Sequence, residues 1–420
     1  MTSEVQVPAR VDVAVIGGGM AGVSTAYALA KDGISVAVFE KGTIGCEQSS
    51  RNWGWVRTLG RDMPEVPLAI RASELWGDIQ QHVDVGFRRT GLLYLAENQT
   101  DTDGHQEWLE RARSYGVDAM LLGREAVLQR LPVTNRPWTG GLFSAGDGVA
   151  EPSMAMRGIA HLAKSLGCRI FEHCAVRGLD LAAGRVSGVV TEHGRVQAGT
   201  VLLAGGAWSR LLCGNSGVSF PQLKVRASVL RTVPVAGALD VTLNGKDFAC
   251  SRRADGGYTV SQFRSSIADL VPDSFKLFPK FFPSWIANNT LVKLRAGRRF
   301  FEELSIPTRF DLGRRTPFEE HRTLVPPVGD GAATALRKLA RSFPAFRGAT
   351  IAEAWGGYID VTPDALPVMS PVPAIPGFYL ASGFSGHGFG IGPAVGEFMA
   401  NMIQGRPLSG PVRAFRLDRF

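Results

Sequence analysis

The chain of 420 residues is 45% hydrophobic and 20% charged, the balance of a folded globular protein; it is too long for one core, so two domains are expected and disordered or fibrous classes are excluded. Its five cysteines, Cys46, Cys168, Cys174, Cys213 and Cys250, form no C-x-x-C pair, which argues against a zinc site or a disulfide framework and for reduced thiols in the cytoplasm. The net charge of +8 fits a solvated basic surface, or attraction for anionic substrates or an anionic membrane face; the basic residues form no stripe with interleaved aromatics, so nucleic acid is not an expected partner.

The first ten residues carry no apolar leader, and no run of about 18 apolar residues follows, so neither a signal peptide nor a spanning helix is expected. Residues 11–40, VDVAVIGGGMAGVSTAYALAKDGISVAVFE, read as strand, glycine turn, helix, strand and acid. That order is the dinucleotide-binding unit. Gly17 permits the sharp turn, Gly19 lets a pyrophosphate approach the backbone, and Gly22 lets the helix lie close to the strand. Met20 and Ala21 open the helix, whose free N–H groups and positive dipole end suit phosphates. Glu40 is placed to accept from a ribose hydroxyl, which favours FAD or NAD over NADP; Lys41 beside it weakens that preference.

Residues 42–62 show neither helical nor strand period and read as a long loop, usually a functional feature. Residues 64–82, 103–115, 123–130 and 154–167 are expected to be helical, and 90–96 a strand. Residues 168–181 and 186–206 alternate apolar and polar residues around turns at Ala183-Gly184 and His193-Gly194, a strand ladder. Beyond Leu223 the runs LKVRASVLRTV, FACSRR, GYTVSQ and LVKLRAGRRF imply an antiparallel sheet. Parallel-sheet character returns from 349 to 403. The expected fold is α/β (α+β overall). A Rossmann-type domain is built from 1–90, 150–222 and 346–420, and an antiparallel-sheet domain from 91–149 and 223–345. Phe275–Trp285, FKLFPKFFPSW, reads as a lid, a membrane-touching surface or a packed helix with proline caps.

Four segments together resemble the FAD-dependent amine and amino-acid oxidoreductases, the family of D-amino-acid oxidase, glycine oxidase and sarcosine oxidase. They are the glycine unit; SSRNWGW at 49–55; Val176 with VLLAGGAWS at 201–209; and AEAWGGYIDVTPDALPVMSP followed by FYLASGFSGHGFGIGPAVGEFMANMI. The resemblance implies that Ser49, Ser50, Arg51, Asn52 and Trp53 run along the cofactor toward the flavin. It also implies that Val176 meets the adenine through its backbone and that Ala204, Gly205 and Trp208 close over it. In the last segment, Gly383, Gly386, His387, Gly388, Phe389 and Gly390 lead into a helix near Pro393. Its positive end would stabilise negative charge on reduced flavin, with a hydrogen bond from His387.

The resemblance also implies departures. A family arginine that pins a substrate carboxylate aligns with Ile359, followed by Asp360; Arg57, Arg264 and Arg322 are the replacements available. Asp360 either holds a substrate ammonium or caps the turn before Thr362-Pro363. Trp53, Trp55, Trp355 and Tyr258 are candidates to line the substrate cavity. The cysteine that links flavin in sarcosine-oxidase-like members is replaced by Gly357, and the 49–55 loop has no histidine, so FAD is expected to bind non-covalently. The expected chemistry is oxidation of a C–N bond in an amine or amino acid, with O2 or a quinone-type acceptor reoxidising the flavin. His387, Asp360, Trp355 and Arg57 are the catalytic candidates, and no metal is expected. Rival readings are an FAD hydroxylase and a flavin-bearing subunit of a larger dehydrogenase. The expected location is cytoplasmic, with peripheral membrane contact open.

Overall fold

Strand Arg10–Ile16 is apolar on both faces because it stands inside an eight-stranded sheet with a core on each side. These coordinates form a computed structural model, which describes residues 6–131, 133–237, 239–262, 266–288 and 292–420 (the side chains of 287 and 288 excepted). Val13 and Val15 enter one core; Val11, Ala14 and Ile16 enter the other. Val36–Phe39 and Gly194–Leu203 flank this strand in parallel, and Arg169–Phe171 and Phe378–Ser382 extend the sheet on either side, also in parallel. Helices Met20–Lys31, Val66–His82, Pro152–Ser165 and Gly392–Ile403 bury Val23, Trp76, Ile159 and Val395 in the first core.

Gly22 is where the glycine helix meets its strand most closely. A Cβ there would lie 2.1 Å from the Gly17 carbonyl oxygen and 3.2 Å from Val15. Gly17 adopts a φ of 106°, and a Cβ on it would lie 2.4 Å from the Ala204 carbonyl oxygen. The turns after the first strand and after Gly194–Leu203 therefore interlock, which only glycine allows.

The second sheet has ten strands. Its path runs Val292–Arg295, Ser266–Asp269, Leu223–Thr232, Tyr258–Ser261, Ala249–Arg252, Thr242–Asn244, Leu92–Ala96, Gly140–Ser144, Met120–Gly123. Most pairings are antiparallel, but Val292–Arg295 pairs in parallel with Ser266–Asp269 and Thr242–Asn244 in parallel with Leu92–Ala96, against expectation.

Strand Ile351–Val361 is a second correction. Its sequence placed it in the nucleotide half, yet it pairs antiparallel with Leu223–Thr232, from Leu223↔Val361 to Thr232↔Ile351. Its glycines resemble a nucleotide-binding loop; its pairing depends on a strand more than a hundred residues away. Residues 42–62 are loop apart from Trp55–Val56, which pairs with Gly148–Val149, and a short 3-10 helix, Met63–Glu65, follows them. Phe275–Trp285 forms parts of two helices, Pro272–Lys276 and Phe278–Asn288, with Pro283 inside the second. Phe275, Phe278, Phe282 and Trp285 are exposed, so this is not an ordinary packed helix.

Candidate active site

A cavity of about 1060 Å³ runs from the glycine turn to the second sheet. Gly17, Gly19, Met20 and Ala21 line its start. Gly19 is the N-cap of the first helix and has no side chain with which to cap it. The Met20 N–H donates instead to the Ser49 hydroxyl at 2.9 Å, which draws the 42–55 loop onto the helix end. Glu40 is buried and accepts from the Gly18 and Gly42 N–H groups, both at 2.7 Å. Burial pushes its carboxyl up; the Gly42 and Gly18 N–H groups and Lys41 oppose the shift. Each carboxylate oxygen retains a lone pair for a ribose hydroxyl.

Lys41 lines the cavity, but its ammonium is bound to Glu47 at 2.8 Å and to the His321 and Arg322 carbonyls, and sits 5.0 Å from the Trp208 ring centre. Val176, Ala204, Gly205, Trp208, Arg51, Asn52 and Trp53 also reach the wall. Ser50 does not; its N–H closes a turn on the Glu47 carbonyl. Gly22 serves helix packing behind the wall. The buried indole nitrogens of Trp55 and Trp208 have no hydrogen-bond partner among the described residues. Orphaned donors on a wall with a glycine-cleared helix start fit a cavity built for a polar, anionic ligand.

Gly386, His387, Gly388, Phe389 and Gly390 line the next stretch, before helix Gly392–Ile403. Gly383 does not: its N–H donates to Asp360 at 2.7 Å. Asp360 also accepts from the Gln222 amide at 2.9 Å and the Ser382 hydroxyl at 3.2 Å. One oxygen of its carboxylate, Oδ2, is thus spent on the loop, although Asp360 also lines the cavity, and burial pushes its carboxyl up. Ile359, its neighbour, lies on the same wall.

Trp355 is a further correction. Its indole donates to the Arg51 carbonyl at 3.0 Å, and it does not line the cavity. Tyr258 is buried against Phe346, 4.8 Å between ring centres, with its hydroxyl on the Leu239 carbonyl. Arg57 does line the cavity; it donates to the Leu59 carbonyl and joins no ion pair among the described residues. Arg322 is committed to Glu192 at 2.5 Å and lies off the wall. Arg264 lies outside the described residues.

Sequence reasoning missed Glu65, Arg61 and Asp147. Glu65 is fully buried and meets the His387 Nδ1 at 2.7 Å. Asp147 accepts from the Thr58 N–H and hydroxyl, each at 2.8 Å, and so fixes the segment that carries Arg57. Burial lowers Arg61 to about 10, with Arg57 adding to the shift. No local signal marks these residues, because each acts on a segment distant in sequence.

A family model for FAD dependent oxidoreductases matches residues 12–402. The chain belongs to that family, and its cofactor is FAD. It is similar to the sarcosine oxidase beta subunit of an Arthrobacter species, with 26% identity over 97% of this chain and 91% of that one. It is also similar to glycine oxidase of Geobacillus kaustophilus, with 25% identity over 98% and 97%. The L-amino acid deaminase from Proteus myxofaciens, solved in complex with anthranilate, superposes with a TM-score of 0.96 at 31% identity, covering 100% of this chain and 96% of that one. The L-amino acid deaminase from Proteus vulgaris gives 0.94 at 29% identity, covering 100% and 99%.

Gly19→Val should abolish FAD binding, measured as flavin absorbance retained through gel filtration. Glu40→Ala should weaken it by about 1–3 kcal/mol, the range for a hydrogen bond to a charged group. The flavin should stay in the supernatant after acid precipitation of the wild type, because Gly357 stands where related enzymes carry the linking cysteine and the 49–55 loop has no histidine; colour left in the pellet would point to Cys46, which lines the cavity.

Asp360→Asn should lower stability by about 1.5–3 kcal/mol and change kcat/KM less than threefold. A raised folded pKa means that the native state binds the proton more readily. The contribution of Asp360 is then full below its ordinary 3.8 and is lost as pH rises through the folded value. Thermal melts across pH should show the gap between wild type and variant widest in acid and narrowing as pH rises.

Proposed function

We propose that this protein oxidises the C–N bond of an α-amino acid with an apolar side chain, forming an imine that water hydrolyses to a 2-oxo acid and ammonia. The observation that carries this reading is the continuity of the cavity. From the His387 loop it passes to a wall where Leu223, Val225, Val229, Phe281, Tyr358 and Ile359 stand among Lys224, Asp269 and Asn244. An apolar side chain fits against the first group.

Arg57 and Arg264 are the candidates to hold the substrate carboxylate, since Arg322 is taken by Glu192. Either would orient the α-carbon as the neutral amine lone pair forms the C=N bond, hydride leaves carbon and an N–H proton is lost. Bound FAD supplies the two-electron acceptor, returned to its oxidised form by O2 or a quinone-type acceptor. The start of helix Gly392–Ile403 and His387 favour negative charge at that end of the cavity.

The aromatic face of residues 275–286 supports peripheral contact with a membrane. Phe275, Phe278, Phe282, Trp285 and Ile286 are exposed, with Phe275, Phe278 and Trp285 also lining the cavity, and Lys276, Lys293, Arg295 and Arg298 are exposed and basic. Among the described residues no helix is long and apolar enough to cross a membrane. Vesicles containing anionic phosphatidylglycerol should co-float the wild type. Neutral vesicles, or a Phe278→Ser/Trp285→Ser variant, should not.

Anaerobic mixing with an amino-acid panel tests the reaction. Leucine, methionine and phenylalanine should bleach the flavin at least tenfold faster than glycine, sarcosine or aspartate. Loss of the carboxylate anchor, by Arg57→Leu or Arg264→Leu, should raise KM about tenfold or more and spare the corresponding primary amine. Equal bleaching by glycine, or by amines without a carboxylate, refutes the assignment. Repeating turnover with O2 and with a soluble quinone identifies the acceptor.

A further inference from the structure

A charge cluster sits against the His387 loop, with Glu65 and Arg61 buried, Asp62 exposed, and Arg61 and Asp62 on the cavity wall. The Glu65 carboxylate is fully buried, and its hydrogen bond among the described residues is the 2.7 Å contact with the His387 Nδ1. Its other oxygen, Oε1, has no hydrogen-bond partner among the described residues. The Arg61 Nη1 is 3.9 Å from Glu65, too far for a hydrogen bond, and has no hydrogen-bond partner among the described residues. Asp62 completes a group with Glu65 and His387 whose ligand atoms lie within 4.8 Å of one another. The fixed guanidinium of Arg61, with Arg57 nearby, opposes a metal ion there.

A carboxylate can only accept, so His387 must carry its proton on Nδ1 in either charge state. His387 also lines the cavity. We propose that Glu65 is a positioning residue for the oxidation: it leaves the His387 Nε2 to face the cavity and keeps the ring protonated when negative charge arrives there with the two electrons. The charged groups around the pair are Arg57, Arg61 and Asp62, with Asp147 behind them. Burial alone would raise the Glu65 carboxyl, but His387, then Arg61 and Arg57, hold it below its ordinary range, so it stays an anion. A glutamine in its place could either donate to or accept from Nδ1 and would fix neither the tautomer nor the charge. This inference rests on the reading that FAD occupies the cavity with His387 beside it.

Two measurements test it. In the apoprotein, 15N spectra of labelled histidine should show His387 protonated at Nδ1 in the wild type and a mixture of tautomers in Glu65→Gln. In the holoenzyme, dye-linked redox titration should show His387→Gln and Glu65→Gln each shifting the balance at least tenfold toward the oxidised cofactor. For a two-electron couple that is about 30 mV lower. The double variant should shift no further than His387→Gln alone. An unchanged or raised potential in Glu65→Gln, with His387→Gln lowered, overturns the role of Glu65 and leaves the amino-acid reaction standing. No shift in either variant overturns both the role and the placement of the ring. If Glu65→Gln does not fold, Glu65→Asp serves. It keeps the charge but withdraws it by a methylene, so a smaller shift in the same direction supports the role and no shift overturns it.

Discussion

The carboxylate of Asp360 accepts from the Gly383 N–H of the nucleotide half, from Ser382 at the end of strand Phe378–Ser382, and from Gln222 just before the second sheet begins. Its own residue belongs to strand Ile351–Val361, which pairs with Leu223–Thr232 in that second sheet. One buried acid therefore joins both sheets where the cavity passes between them. A group so deeply buried must have its lone pairs filled. Satisfying it dictates the backbone path of the 383–390 loop, and that loop in turn forms a wall of the site.

Close backbone approach provides the second constraint. Glycines at 17, 22 and 390 stand where a Cβ would strike a carbonyl oxygen at 2.4, 2.1 and 2.6 Å respectively. At Gly390 the carbonyl belongs to Trp55, so the flavin-side loop and the 42–62 loop pack backbone to backbone. Those contacts bring the start of helix Met20–Lys31, the start of helix Gly392–Ile403 and the edge of the second sheet to one cavity.

The segment 57–82 supports the same loop from behind. The Trp76 indole donates to the Gly390 carbonyl at 2.8 Å, Arg61 reaches the His387 carbonyl at 3.4 Å, and Glu65 holds the ring. Asp147 fixes the start of this segment through Thr58 and Leu59. Glu65 and Asp147 thus stand behind a face of the cavity that Arg57 and Arg61 line, while the second-sheet wall mixes Leu223, Val225 and Val229 with Lys224 and Asp269. In such a setting a single proton or carboxylate changes the local field far more than it would in water.

By itself the sequence determined the dinucleotide unit, the ladder from Val176 to Leu203 and the helix start at Gly392-Pro393. These features are local: a positive φ or a turn restricts residue choice within a few positions, and a strand next to its turn shows its period directly. Only the tertiary structure decided which sheet holds Ile351–Val361, that the Asp360 carboxylate ties down the loop from a place on the cavity wall beside Ile359, and that Trp355 is spent on the Arg51 carbonyl. It alone brought Glu65 to His387 across 322 positions. Those outcomes depend on strand register and on contacts between distant segments. Adjacent strand residues point to opposite faces, so a residue type marks chemistry in a sequence without giving its direction, and the direction follows only once the partner strand is in place.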